Sequence, residues 1–309
     1  MLFRSSEEYR GGRGRGLFGG GYVAPSKTNT INYITISTLS NAYDFGDLTQ
    51  ARNRPRAVGS STRGFYGGGS NAPSYVNTID FVVFSSGGSS YDFGDLLVAF
   101  CDNGSGACSN SIRGLFGGGY NPLNTSRIEY ITFATQANAA FFGDLLDARN
   151  AVFGNVSNTT RGIFAGGYLN PSSANTNVMQ YVTIATTGNA IDFGDRTTSA
   201  YGGAGCSNST RGLFAGGGAP LNTNVIDYIT ISSLGNAIKF GDLLAAEQLF
   251  HGCASSTRGI FGGGRAPAIT NTIQYVTIAS TGNAVRFGDL TAAVETAAAC
   301  SDAHGGLGD

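Results

Sequence analysis

The chain has 309 residues, of which 48 are Gly, 41% are hydrophobic and only 13% are Asp, Glu, Lys or Arg, with a formal net charge of -1. A typical soluble domain is about 25% charged, so polarity here comes from Ser, Thr, Asn and Gly. The near-neutral balance removes a global electrostatic case for nucleic acid or an anionic membrane, and the evenly spread apolar content argues against disorder.

In chain order, residues 1–14 read as an Arg- and Gly-rich arm without the apolar core of a secretion signal, and no later apolar run approaches the roughly 18 residues of a spanning helix. At Arg15 a repeating unit begins. Its opening Arg-Gly recurs at Arg63, Arg113, Arg161, Arg211 and Arg258, and each copy closes on Phe-Gly-Asp, at Asp47, Asp95, Asp144, Asp195, Asp242 and Asp289. Six copies at intervals of 47 to 50 residues fill the chain, and a period of that length marks a repeat architecture.

Within each unit, Arg-Gly and two large apolar residues read as a strand covered on both faces, cut off by glycines where the backbone turns or passes close to a neighbour. A variable loop follows, and then Asn-Thr-Ile-x-Tyr-Ile-Thr-Ile, whose β-branched and aromatic alternation predicts a second strand. A turn leads into a third strand ending at Phe-Gly-Asp. The last stretch, such as 204–209, has only small residues and predicts a fourth strand where several sheets converge. Four short strands per unit, repeated radially, predict an all-β fold, a single six-bladed β-propeller.

The order of elements resembles the Kelch repeat: an apolar strand ending in glycines at 213–217, an Asn-led strand ending in Tyr at 222–228, the aromatic Phe240, and Ala-Arg before an inner strand at 51–52 or 148–149. Phe stands in all six units where Kelch repeats usually carry Trp, which this chain lacks. The wording TRGLFGGG, NTIxYITI and FGDL is also similar to repeats encoded by tailed bacteriophages. Those resemblances imply a fold and a setting; an activity has to come from a site.

The small-residue strand precedes every Arg-Gly except the first, and its missing copy lies at 297–302. The C-terminal strand is therefore expected to complete the first blade and hide the ring's edges. Cys108, Cys206 and Cys253 each lie five residues before their Arg, Cys300 holds the equivalent place, and Val58 and Val156 fill the remaining two. Cys alternating with Val marks a small buried apolar site, not a redox or metal set; Cys101 lies outside that register. The six Arg and six Asp of the signatures are expected to serve structure, as ion pairs or backbone caps.

The Gly runs precede strands, so they lack the helix N-terminus a phosphate cradle needs. His251 and His304 are the only histidines and stand in non-equivalent places, which supports no metal centre. No cofactor, catalytic residue or metal is expected. Unit-specific residues are where binding belongs, on the two loop sets that open on one propeller face. The first set offers Tyr22, Lys27, Asn71, Tyr75, Tyr120, Asn121, Tyr168, Asn170 and Arg265; the second offers Arg52, Arg54, Arg56, Asp102, Asn103, Tyr201, Phe250 and His251. Tyr and Asn with few charges suit stacking on sugar rings or packing on a protein, and Arg52, Arg54 and Arg56 suggest a local basic patch.

The resulting expectation is a 1–14 arm and a 15–309 propeller that binds and does not catalyse: a virion-associated phage protein of a tail, fibre or head surface, assembled in the host cytoplasm. Its partners would be other virion proteins or a host surface glycan, with homo-oligomers within an assembly compatible, and neither nucleic acid nor membrane insertion. The alternatives are an intracellular protein–protein adaptor and a sugar-modifying Kelch-type enzyme with a channel site.

Overall fold

In the computed structural model, which describes residues 14–169, 172 and 174–308, each unit forms a four-stranded antiparallel sheet, the third extended by a fifth short strand, Tyr168–Leu169 of the next unit, and the six sheets make a six-bladed β-propeller. Blade 5 shows the plan: Ala204–Ser207 innermost, then Arg211–Ala215, Val225–Thr230 and Ile238–Asp242 outermost. Blade 1 closes the ring as the repeat predicts. Its innermost strand is the C-terminal Ala298–Ser301, paired antiparallel with Arg15–Gly19 so that Leu17 faces Cys300 and Phe18 faces Ala299. The Asp302 carboxylate then accepts from the Arg15 N–H at 2.8 Å. All but residue 14 of the expected N-terminal arm, and Asn170 and Asp309, lie outside the described residues.

The Phe-Gly-Asp triplet owes its form to a β-bulge. In blade 5, Ile226 faces Gly241 and Asp227 faces Lys239, leaving Phe240 unpaired, and the same shift recurs in the outer pairing of all six blades. A bulge re-aims a side chain: the two residues before Phe both face solvent while Phe turns inward, as in the exposed-exposed-buried pattern of Ile238, Lys239 and Phe240. The following Gly is where the next blade's turn docks. A Cβ on Gly241 would lie 2.1 Å from the Gly282 carbonyl oxygen, and one on Gly143 would lie 2.2 Å from that of Gly188.

Six hydrophobic clusters form the core, one at each junction between consecutive blades. The cluster between blades 1 and 2, for example, joins Leu17, Ile31 and Phe45 to Tyr66, Val82 and Phe84. Arg-Gly is explained there too. The innermost-strand Cys or Val of one blade fills the space where the next blade's Gly lacks a side chain: Cys253 against Gly16, Cys300 against Gly64, Val58 against Gly114, Cys108 against Gly162, Val156 against Gly212 and Cys206 against Gly259. The five cysteines are buried and free, and burial pushes the Cys300 thiol up to about 12.

Of the two structural roles expected for the signature Arg residues, capping is the one observed. Arg113, Arg161, Arg211 and Arg258 donate to the next blade's backbone carbonyls, at Ala185, Ile231, Ala279 and Ile36, over 2.7 to 3.0 Å, and Arg15 donates to Phe84. All six guanidinia also lie over the Tyr or Phe of their own unit's Ile-x-Tyr strand, at 4.7 to 5.5 Å from the ring centre. Among the described residues none pairs with a signature Asp; Asp242 and Asp289 pair within their own strands, with Lys239 and Arg286.

Candidate functional site

One face of the ring carries both loop sets, and its frame is made of backbone. One glycine of each run, at Gly21, Gly69, Gly119, Gly167, Gly217 and Gly264, donates to a carbonyl of the segment that leaves the outer strand, at Arg52, Phe100, Arg149, Ala200, Glu247 and Val294. One position further out, the two loops meet in a β-bridge in every unit: Tyr22 with Glu295, Asn53 with Ser70, Cys101 with Tyr120, Asn150 with Tyr168, Tyr201 with Gly218, and Gln248 with Arg265. The repeat therefore fixes the backbone and leaves the side chains free to differ. Cys101, outside the register of the other cysteines, occupies one of these bridges.

Nearest the axis the loops hold one another in a closed circuit. Arg54 N–H donates to Thr296, Thr296 to Leu249, Leu249 to Gly202, Gly202 to Ala151, and Asp102 to Arg54, over 2.6 to 3.3 Å. The remaining link runs from the Ala151 N–H to the Asp102 carboxylate. Arg54, Ala151, Leu249 and Thr296 take φ of 54 to 61° to make it, a left-handed backbone that side-chain-bearing residues adopt only when their surroundings enforce it.

Below this circuit the axis is filled. His251 of blade 6 reaches the Gly104 carbonyl of blade 3 at 3.4 Å, and Asn155 of blade 4 donates across the ring to Gly252 and Ala299 at 3.0 and 2.9 Å. At the far end His304 Nε2 donates to the Gly59 carbonyl at 2.8 Å, and the turn Gly305–Leu307 presses against blades 3 to 5. The axial void left over is about 20 Å³, room for little more than one water. Among the described residues no cluster of His, Cys, Asp and Glu could hold a metal.

The expected binding residues divide. Tyr75 and Tyr120 meet edge to face at 6.2 Å, as do Tyr168 and Tyr201 at 6.3 Å; Tyr22 is half-buried beside Lys27, and Asn121 is tied to the Ala99 carbonyl. The basic patch is not formed. Arg52 is fully buried, paired with Asp80 at 3.1 Å and donating to the Tyr66 and Thr78 carbonyls, and Arg56 is fully buried against Asp102 at 3.1 Å, 4.1 Å over the Phe100 ring. Phe250 and His251 are likewise buried. An isolated strong charge cannot be buried without its partner, and the carboxylates that answer these Arg lie tens of residues on, Asp80 in blade 2 and Asp102 in the loop that leaves it, where spacing along the chain does not reveal them.

Of that trio only Arg54 faces the loops. It lines a cleft of about 230 Å³ with Cys101, Asn103, Tyr120 and Asn150. Burial raises the Cys101 thiol against the pull of Arg54, while the Lys27 ammonium is pushed down by partial burial and then by Arg54. Asn150 was missed because its role comes from a bridge to the next unit's loop, although its place just after Ala-Arg is legible. The described face and its fold define a β-propeller. No protein-family model matches the sequence, and no curated protein matches it.

Proposed function

We propose that this chain is a non-catalytic binding propeller that docks through its loop face, Kelch-like in the order of its strands, and that it serves as a virion-associated phage protein of a tail, fibre or head surface. The observation that carries the reading is the contrast between axis and face. The channel, where a propeller enzyme would hold its substrate, is occupied by Asn155, His251 and His304, whereas tyrosines and amides that differ from unit to unit gather on the face. Paired tyrosines give large rigid contact area at low entropic cost, which suits another virion protein or a host glycan.

The test is hydrogen exchange on the protein free and assembled in particles, with Tyr75, Tyr120, Tyr168 and Tyr201 changed singly to Ala. Protection of residues 68–77, 118–124 and 196–203 on assembly, with docking lost in the Tyr variants, supports the reading. Protection confined to the outer strands, with the variants docking normally, overturns it.

A further inference from the structure

Resting on the loop-face reading above, we infer that the cleft at Arg54 binds a single sugar residue bearing a carboxylate. Arg54 and Lys27 receive the carboxylate, Asn103 and Asn150 meet the hydroxyls, and Tyr120, backed by Tyr75, walls one side of the ring.

The cleft's unspent hydrogen bonds are the first argument. Arg54 Nε and Asn103 Oδ1 are both buried without a partner, a donor and an acceptor at one cleft of about 230 Å³. A buried polar atom left unpaired is costly, and a ligand carrying both an anionic acceptor and hydroxyl donors satisfies the two at once.

Charge is the second. Among the described residues neither Lys27 nor Arg54 makes an ion pair, and the bond from the Arg52 N–H to the Thr28 carbonyl at 3.2 Å brings the segment that carries Lys27 alongside the one that carries Arg54. The carboxylates close by are taken, Asp102 by Arg56 at 3.1 Å and Glu295 by Arg265 at 2.7 Å. Two uncompensated cations beside one cleft favour an anion, and a planar guanidinium matches a carboxylate in particular.

Rigidity and the aromatic pair complete the case. The Arg54 backbone is held on both sides by the axial circuit, at 2.8 Å to Thr296 and 3.3 Å from Asp102, so the entropic cost of presenting its side chain is partly met before binding. Tyr120 both lines the cleft and meets Tyr75 edge to face, which offers an apolar wall to a sugar ring. A bare phosphate would leave that wall and the amides idle.

The full chain is titrated by NMR with N-acetylneuraminate and glucuronate, with neutral galactose and glucose, with inorganic phosphate, and with a Glu-rich peptide. The expected result is binding of the two sugar acids alone, weakened about tenfold or more in Lys27→Gln, which spares the axial circuit, and in Arg54→Gln. Equal binding of the neutral sugars, of phosphate or of the peptide overturns the inference, and so does unchanged affinity in Lys27→Gln. If every sugar fails while Tyr168→Ala and Tyr201→Ala, which lie outside the cleft, still abolish docking on particles, the sugar site falls and the loop-face reading stands. If the sugar acids bind while those variants dock normally and only outer strands are protected in particles, the reverse holds.

Discussion

At the residue scale, the fit between neighbouring blades rests on a missing side chain. Gly162 leaves the space that Cys108 Sγ fills, and a Cβ added there would stand 2.2 Å from that sulfur. Gly162→Ala is therefore expected to destabilise the chain by about 1–3 kcal/mol, the usual cost of overpacking. Adding Cys108→Ala should recover part of the loss, because the two side chains compete for one space. Replacing Cys108, Cys206, Cys253 and Cys300 together by Val should instead leave the fold intact, since Val58 and Val156 already do the same work against Gly114 and Gly212; the denaturant midpoint measures all three cases. The alternation of Cys and Val was legible in the sequence as a small apolar site. That its partner is the Gly of the signature was not, because the two residues belong to different blades.

At the element scale, one position that the repeat leaves variable, the x of the Ile-x-Tyr strand, holds the blades together. The residue between Ile or Met and the strand's Tyr or Phe is Asn32, Asp80, Glu129, Gln180, Asp227 or Gln274, and all are buried. The side chains of Asn32, Asp80, Glu129, Gln180 and Gln274 accept from a backbone N–H of the preceding blade's outgoing loop, at Thr291, Thr49, Leu97, Leu146 and Leu244, over 2.7 to 3.0 Å. Asp227 accepts from the buried Arg196. The legible signal was that the position always carries an acceptor oxygen, unusual for the inside of a strand. Asn32 stitches the closing junction between blades 6 and 1. Asn32→Leu should cost about 1–3 kcal/mol by orphaning the Thr291 N–H, and Asn32→Gln should cost less, since Gln does this work at 180 and 274; melting temperature separates the two. Removing the innermost strand of blade 1 by ending the chain at residue 297 is a larger lesion. It opens the edge of Arg15–Gly19, and the expected product is aggregate in place of a monodisperse species by size-exclusion chromatography.

At the scale of the whole molecule, closure bears on how stability responds to pH, because titratable groups are buried where the ring is tied together, among them Glu247, His251 and His304. The repeat made the six blades and the closing strand legible, yet it could not foresee these groups, which occur once each. Glu247 sits in an outgoing loop with Gln274 donating to its carboxyl. Burial raises its pKa to about 8 despite that bond, so the folded chain holds a proton that the unfolded chain releases above its ordinary value of 4.5. Its contribution is complete at acid pH and is lost as pH rises toward 8. His251 and His304 act in the opposite sense. Burial lowers each to about 4, against the bonds to Gly104 and Gly59, and His304 Nδ1 accepts the Gly306 N–H, which a protonated ring could not do. Between their ordinary 6.5 and about 4 the unfolded chain takes up protons that these histidines in the folded chain refuse, so their contribution is lost as pH falls through that window. With two groups opposing one, the contribution of these three should rise up to about pH 6.5 and then decline toward 8. Chemical denaturation at fixed ionic strength across that range should therefore show Glu247→Gln flattening the alkaline decline, which the buried and likewise raised Asp102 and Glu129 share in sign, while His304→Asn shallows the acid limb; an alkaline decline unchanged in Glu247→Gln would mean that Glu247 is ionised in the folded ring.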